Sequence, residues 1–188
     1  MTCCIMAIKD DILYIGSDSC ITNGWEKNKT GSMKSGNAGG YIALFAGTVP
    51  AIQSLYNFSA PDSTLQSKDY VFRVYIPALR NYLKEIGYWN AEKAKIIYDW
   101  EFLVFIRGKM YNIDSFLTVH EEEEFATIGN GGTTAKAVMD VMWESGMPMK
   151  DLIELSLETA AKYNIGVEAP FHIEEIKLTN DKSKKKKR

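Results

Sequence analysis

Residues 2–18 read TCCIMAIKDDILYIGSD, and this stretch frames the reading of the whole chain. Residues 2–8 are an apolar run short enough for a buried strand. Lys9-Asp10-Asp11 is polar, and residues 12–18 return to strand-like composition. Two such runs around a polar turn predict a β-hairpin. A turn centred on Asp10 makes cross-strand partners sum to 20, so that Ile8 faces Ile12 and Thr2 faces Asp18. Directly opposed residues hold their Cβ atoms roughly 4.5–5.5 Å apart, which brings a carboxylate to the first threonine.

Outward from the hairpin, Thr22–Gly40 is polar and rich in glycine and lysine, and YIALFA at 41–46 is an apolar strand closed by Gly47. Pro50 suits a helix start, followed by Ile52, Leu55 and Tyr56 at helical spacing. Val71, Val74, Tyr75, Ala78 and Tyr82 predict a second helix, with Pro77 a candidate kink. WEFLVFI at 100–106 and KMYNI at 109–113 form a second hairpin, and Phe116–Val119 adds a strand. The run Glu121–Glu124 is a solvated edge. Phe125–Ile128 is a short strand entering Gly129-Asn130-Gly131-Gly132. Two more helices carry Ala135, Val138, Met139 and Met142, then Leu152, Leu155, Ser156 and Thr159. A last strand spans 171–177. Helices arrive in pairs between groups of strands, which predicts an α+β fold of antiparallel sheets covered by helix layers.

The 188 residues suit one domain, 1–178, with a separate tail at 179–188. Residues 181–188 hold six basic groups and one acid, which leaves 16 basic and 23 acidic residues in the body. The tail is expected to be solvated, and no basic patch in the body suggests nucleic acid. The first residues resemble no secretion signal, and no apolar run reaches the ~20 residues of a membrane span. Cys3, Cys4 and Cys20 form no metal-ligand spacing with His120 or His172, so neither a metal nor a cofactor is expected, and unpaired thiols suit a reducing compartment. GNGGTTAK at 129–136 lacks the order of a phosphate-binding loop.

The chemistry concentrates at the N-terminus. Thr2 is small enough for Met1 to be removed by ordinary processing, which leaves a threonine with a free amine. An α-amine of pKa about 7.7–8.0 can take the proton of its own hydroxyl near neutral pH, so this nucleophile carries its base. A carboxylate at Asp18 needs a cation if partly buried. Lys34 is the candidate and Lys29 the weaker rival. An ammonium near the hydroxyl favours the free amine and steadies charge growing on oxygen.

TCCIMAIKDDILYIGSD resembles the first hairpin of proteasome β subunits and of the HslV peptidases. In that family a terminal threonine, an aspartate 16 residues later and a lysine 32 residues later form the active centre. Thr2, Asp18 and Lys34 have those spacings. YIALFAG at 41–47, IGNGGTTAKAVMDVM at 128–142 and SLETAAKYNIGVEAPFHIEEI at 156–176 resemble the third strand, the glycine turn with its helix, and the last helix and strand. The resemblance implies a four-layer α/β/β/α sandwich and a cytoplasmic threonine peptidase. It implies a homo-oligomeric ring, gated by an ATP-driven unfoldase, that hydrolyses peptides or unfolded proteins. It also assigns residues: Thr2, Asp18, Lys34 and Asn130 to catalysis, the backbone of Leu44 to the oxyanion hole, and Cys20, Ile21, Phe45 and Gly47 to the substrate groove. Asn130 stands where HslV has a serine, Leu44 where the family has a glycine, and Lys162 and Tyr163 where the proteasome has a late acid. These departures fit an alternative, a ring-forming scaffold without catalysis. A third reading is an amidase acting on a small molecule.

Overall fold

The computed structural model describes residues 2–23, 26–90, 95–96 and 99–178. Met1, on which the processing argument rests, and the basic tail from 179 onward lie outside the described residues. The elements run β1 (Cys4–Lys9), β2 (Ile12–Ser17), β3 (Cys20–Asn23), β4 (Glu26–Lys29), β5 (Ser35–Ala38), β6 (Tyr41–Gly47) and α1 (Val49–Leu55). Next come α2 (Ser67–Tyr70), a π-helical stretch (Val71–Tyr75), α3 (Ile76–Glu85), β7 (Trp89–Asn90) and β8 (Lys95–Ile96). The rest is β9 (Trp100–Ile106), β10 (Lys109–Asp114), β11 (Val119–Glu122), β12 (Phe125–Ile128), α4 (Gly132–Met142), α5 (Met149–Tyr163) and β13 (His172–Lys177). Two antiparallel sheets dominate: a four-stranded one in the order β12-β1-β2-β13 and a five-stranded one in the order β11-β10-β9-β6-β5.

Side-chain alternation along the strands sorts the apolar residues into three cores. Cys3, Ile5 and Ala7 meet Met139, Leu152, Ile153 and Leu157 of α4 and α5. Cys4, Met6, Leu13 and Ile15 meet Leu44, Leu103 and Met110, which joins the two sheets. Phe45, Phe102, Val104 and Tyr111 meet Leu55, Tyr75, Leu79 and Leu83 of the first helices. Truncating a fully buried leucine such as Leu103 in the middle core would cost about 2–5 kcal/mol.

The first hairpin forms with a register one residue away from the expected one. Partners sum to 21: Cys4 faces Ser17 and Ile8 faces Leu13. The turn uses two residues, Asp10 at φ 51° and Asp11 at φ 58°. Left-handed conformations at both central positions suit the right-handed twist of the flanking strands, and aspartate tolerates them. A one-residue turn does not close such a hairpin.

Further differences have local causes. The polar stretch at 22–40 contains β4 and β5 and the end of β3, whose residues are too polar to show a strand pattern. Strand formation expected at Phe116–Val119 begins only at Val119, because Asp114 Oδ1 accepts the N–H groups of Phe116 and Thr118 at 2.8 and 2.9 Å and Leu117 takes φ 61°. The acidic run at 121–124 is partly strand: Glu121 and Glu122 pair with β10 at the sheet edge, and Glu121 meets Lys109 at 3.2 Å. Pro77 lies within a helical run that continues from Ser67 to Glu85. The wider π turn just before it, closed by Ile76 N–H to Val71 C=O, takes up a proline that cannot donate to the preceding turn.

Candidate active site

The head of β1 places Thr2 at the end of the hairpin, 6% exposed. Beyond the last ladder pair, the Asp18 N–H donates to the Cys3 carbonyl at 3.1 Å, so Asp18 stands opposite Cys3 rather than Thr2. The acid still reaches the site through its side chain. Oδ1 accepts the Cys3 N–H at 2.8 Å and Oδ2 accepts the Cys20 N–H at 2.8 Å. Asp18 is fully buried, and backbone donors plus a cation offset the cost of burying its charge.

That cation is Lys34. Its Nζ lies 2.7 Å from Asp18 Oδ1, 3.1 Å from Thr2 Oγ1 and 2.6 Å from the Cys20 carbonyl. An ammonium has three N–H donors and no acceptor, and three acceptors surround this one. All three contacts of the Lys34 amine are thus donations, one of them to the threonine hydroxyl. Its backbone is fixed too: its N–H donates to Ser17 Oγ at 3.0 Å, and its carbonyl accepts the Phe45 N–H at 3.0 Å. The rival, Lys29, is half exposed and pairs with Glu168 at 3.3 Å.

The neighbouring thiols are held in their protonated, weakly nucleophilic form. Burial pushes the Cys3 thiol up from 9.0 to about 12, with the Asp18 charge adding to the rise. Burial likewise raises Cys4 well above its ordinary value.

On the other side of Thr2, the β12–α4 turn grips its main chain. The Thr2 carbonyl accepts the Gly131 N–H at 3.1 Å. Gly129 sits at φ 86°, and a Cβ there would lie 2.2 Å from the Thr2 oxygen, so only glycine fits. Asn130, between them, is exposed and lines a cleft of about 970 Å³ beside Thr2. Cys20, Ile21, Phe45 and Gly47 come together with Thr2 and Lys34 around a smaller pocket of about 250 Å³.

Leu44 does not join them. It is fully buried between the sheets and pairs with Ser35 and Leu103. The Phe45 N–H points to β5, so by strand alternation the Leu44 N–H points into the ladder with β9 and faces no cavity. Gly47 borders both cavities with Thr2 at the end of β6. It takes φ 129°, and a Cβ there would lie 2.6 Å from the Asp99 carbonyl.

The residues that sequence reading missed are Glu101, whose Oε1 accepts the Gly129 N–H at 2.7 Å, and the pocket wall of Met33, Val49, Ile52 and Tyr56. The signal for Glu101 was available: a lone acid within the apolar run WEFLVFI. Among the described residues, no group of three His, Cys, Asp or Glu side chains could hold a metal ion, and no helix is long and apolar enough to cross a membrane.

No family model matches the chain, and no curated protein matches it. Solved structures do. The chain superposes on a structure of Thiobacillus denitrificans BPH in complex with epoxomicin with a TM-score of 0.79, at 19% identity, over 95% of this chain and 100% of that one. The fold is proteasome-like. Eukaryotic HslV from Trypanosoma brucei gives a TM-score of 0.69 at 17% identity, over 94% and 99% of the two chains. Anbu, an ancestral β-subunit, from Yersinia bercovieri gives 0.65 at 14%, over 94% and 82%. At these identities the likeness establishes the proteasome-like fold and leaves the chemistry to the residues of this chain.

Proposed function

We propose that the chain is a threonine peptidase whose nucleophile is Thr2, exposed by removal of Met1. The observation that carries this reading is the Lys34 ammonium, 3.1 Å from Thr2 Oγ1 and neutralised by Asp18 at 2.7 Å. The Thr2 amine takes the hydroxyl proton, and Oγ1 attacks the carbonyl of a peptide bond. Lys34 steadies the negative charge on the attacking oxygen. Gly47 offers an N–H to the carbonyl oxygen, since strand alternation turns it to the side of β6 from which β5 has ended. The amine then protonates the leaving nitrogen, and water releases the ester. The wall of Met33, Phe45, Val49, Ile52 and Tyr56 suits an apolar substrate side chain. The three cores support the α/β/β/α layering within a single domain over residues 1–178.

Similar proteins support self-association: Anbu from Pseudomonas aeruginosa is described as a helical assembly. A ring, an unfoldase partner and a cytoplasmic location are what the family resemblance implies for this chain. The catalytically silent scaffold is the second reading, favoured by Asn130, which cannot relay a proton as a hydroxyl can.

Intact mass and fluorogenic peptides decide between them. The mature chain should begin at Thr2, and Thr2→Ala should abolish hydrolysis while leaving assembly intact. Epoxomicin should add its mass to the peptide Thr2–Lys9. Asn130→Ser should leave activity unchanged or raise it. Retained Met1 in protein from the native source, or a wild type inert to peptides and to epoxomicin, overturns the peptidase.

A further inference from the structure

The cleft beside Thr2 has a second acid, which the peptidase mechanism does not use. Glu101 is the second residue of β9 and half-buried. Its neighbours alternate strictly: Trp100, Phe102, Val104 and Ile106 enter the core under the first helices, while Leu103 and Phe105 pack between the sheets. Glu101 shares the face of Leu103 and Phe105 and so points toward the four-stranded sheet. An acid on that face is unfavourable unless it is hydrogen-bonded. Its partner is the Gly129 N–H at 2.7 Å, within the usual range of charge-assisted bonds.

Gly129 leads directly to the nucleophile. Its Cα has no room for a side chain because the Thr2 carbonyl fills that space. Its own carbonyl accepts the Gly132 N–H at 2.8 Å, and Gly131 donates to the Thr2 carbonyl at 3.1 Å. The turn is thus braced against Thr2 at two points and against Glu101 at a third. Glu101 also faces Ala46 across the β6–β9 ladder, one residue before Gly47. A single residue therefore joins both walls of the cleft: its backbone holds the strand that ends at Gly47, and its carboxylate holds the turn that carries Asn130 and clasps Thr2.

We infer that Glu101 is a positioning residue, whose carboxylate fixes the 129–131 turn against the main chain of Thr2 and so sets the distance between the threonine and the Gly47 wall. For its effect on turnover, this inference rests on the peptidase reading. For its effect on the turn, it does not. A displacement near 1 Å at such a site lowers rates by about 10²-fold, which is within reach of losing one brace.

The test compares Glu101→Ala, Glu101→Gln and Glu101→Asp in the full chain by amide hydrogen exchange and by kinetics on a fluorogenic peptide. Glu101→Ala should speed exchange of the Gly129 and Gly131 amides by about tenfold or more while the β1–β2 ladder keeps its protection. It should lower kcat by about 10–100-fold with KM within about threefold. Glu101→Gln keeps an oxygen that accepts the Gly129 N–H, so it should restore protection, most of kcat and the wild-type pH profile. Glu101→Asp, one methylene shorter, should fall between them and replaces the alanine variant should that one not fold. Unchanged exchange in Glu101→Ala overturns the inference. So does a Glu101→Gln as impaired as alanine with a displaced pH profile, which marks an acid or base, or an effect confined to KM, which marks a substrate contact. A wild type without peptidase activity removes the proposed function, and the exchange measurements still decide the role of Glu101.

Discussion

Two carboxylates hold backbone amides of segments that contact Thr2, and their surroundings give them different work. Asp18 is fully buried, uses both oxygens on backbone N–H groups and neutralises Lys34 at 2.7 Å. Glu101 is half-buried at the mouth of a cleft and holds one backbone N–H. The first belongs to a closed ionic network in which every donor and acceptor named has a partner. The second belongs to an open wall. Residue type does not separate them; solvent and the number of partners do.

Breaking the closed side should have the largest effect. Lys34→Ala leaves Asp18 buried without its cation, and removing one partner of such a pair costs about 3–5 kcal/mol. Urea unfolding should show that loss, and under the proposed peptidase mechanism kcat should fall by about 10²–10³-fold because the charge beside Thr2 Oγ1 has gone. Wild-type stability in this variant would mean that the pair is weaker than its geometry indicates.

Breaking the open side should cost less. Gly129→Ala forces a Cβ into the Thr2 carbonyl at a left-handed φ, a strain of about 1–3 kcal/mol. The turn should shift to relieve it, so kcat should fall more than the melting temperature predicts. An active, fully stable Gly129→Ala would show that the turn does not brace the threonine.

A titration sharpens the comparison with the smallest effect. Cys3 sits beside Asp18, and its thiol holds its proton up to about 12, against an ordinary value of 9.0. Above pH 9 the unfolded chain loses this proton while the folded one keeps it, so the unfolded state gains relative to the native state. Stability should be unaffected by this thiol below pH 9 and should decline as pH rises toward 12. Cys4 adds to the same slope. Urea midpoints measured for Cys3→Ala should show a shallower decline than the wild type over that range.

The sequence made the spacing of Thr2, Asp18 and Lys34 visible, and it made most strands and helices visible wherever apolar residues kept a period. It did not show how those three residues meet. The register was read one residue off because polar turn residues show where a hairpin bends but not how many residues the bend uses. Strands β4 and β5 went unseen because their side chains, EKNK and SGNA, are polar or small and show no apolar alternation. Leu44 was assigned from its position relative to Gly47, but the direction of an N–H follows from strand pairing, which a linear comparison does not carry. Glu101 stood out as a charge in an apolar strand, yet its partner lies 28 residues away across the space between two sheets.

The Asp10–Asp11 turn is a ruler for chemistry at the other end of its hairpin. Asp10 lies eight positions after Thr2, roughly 26 Å along a strand. The two residues of the turn fix which amide at the head of the hairpin the Asp18 carboxylate meets. Adding or deleting one residue there would exchange the faces of β2 relative to β1, turning Leu13 and Ile15 from the other sheet toward α5 and carrying Asp18 away from the Cys3 N–H. The alignment of Thr2 with the Asp18–Lys34 pair is thus measured out at an exposed loop that touches none of them.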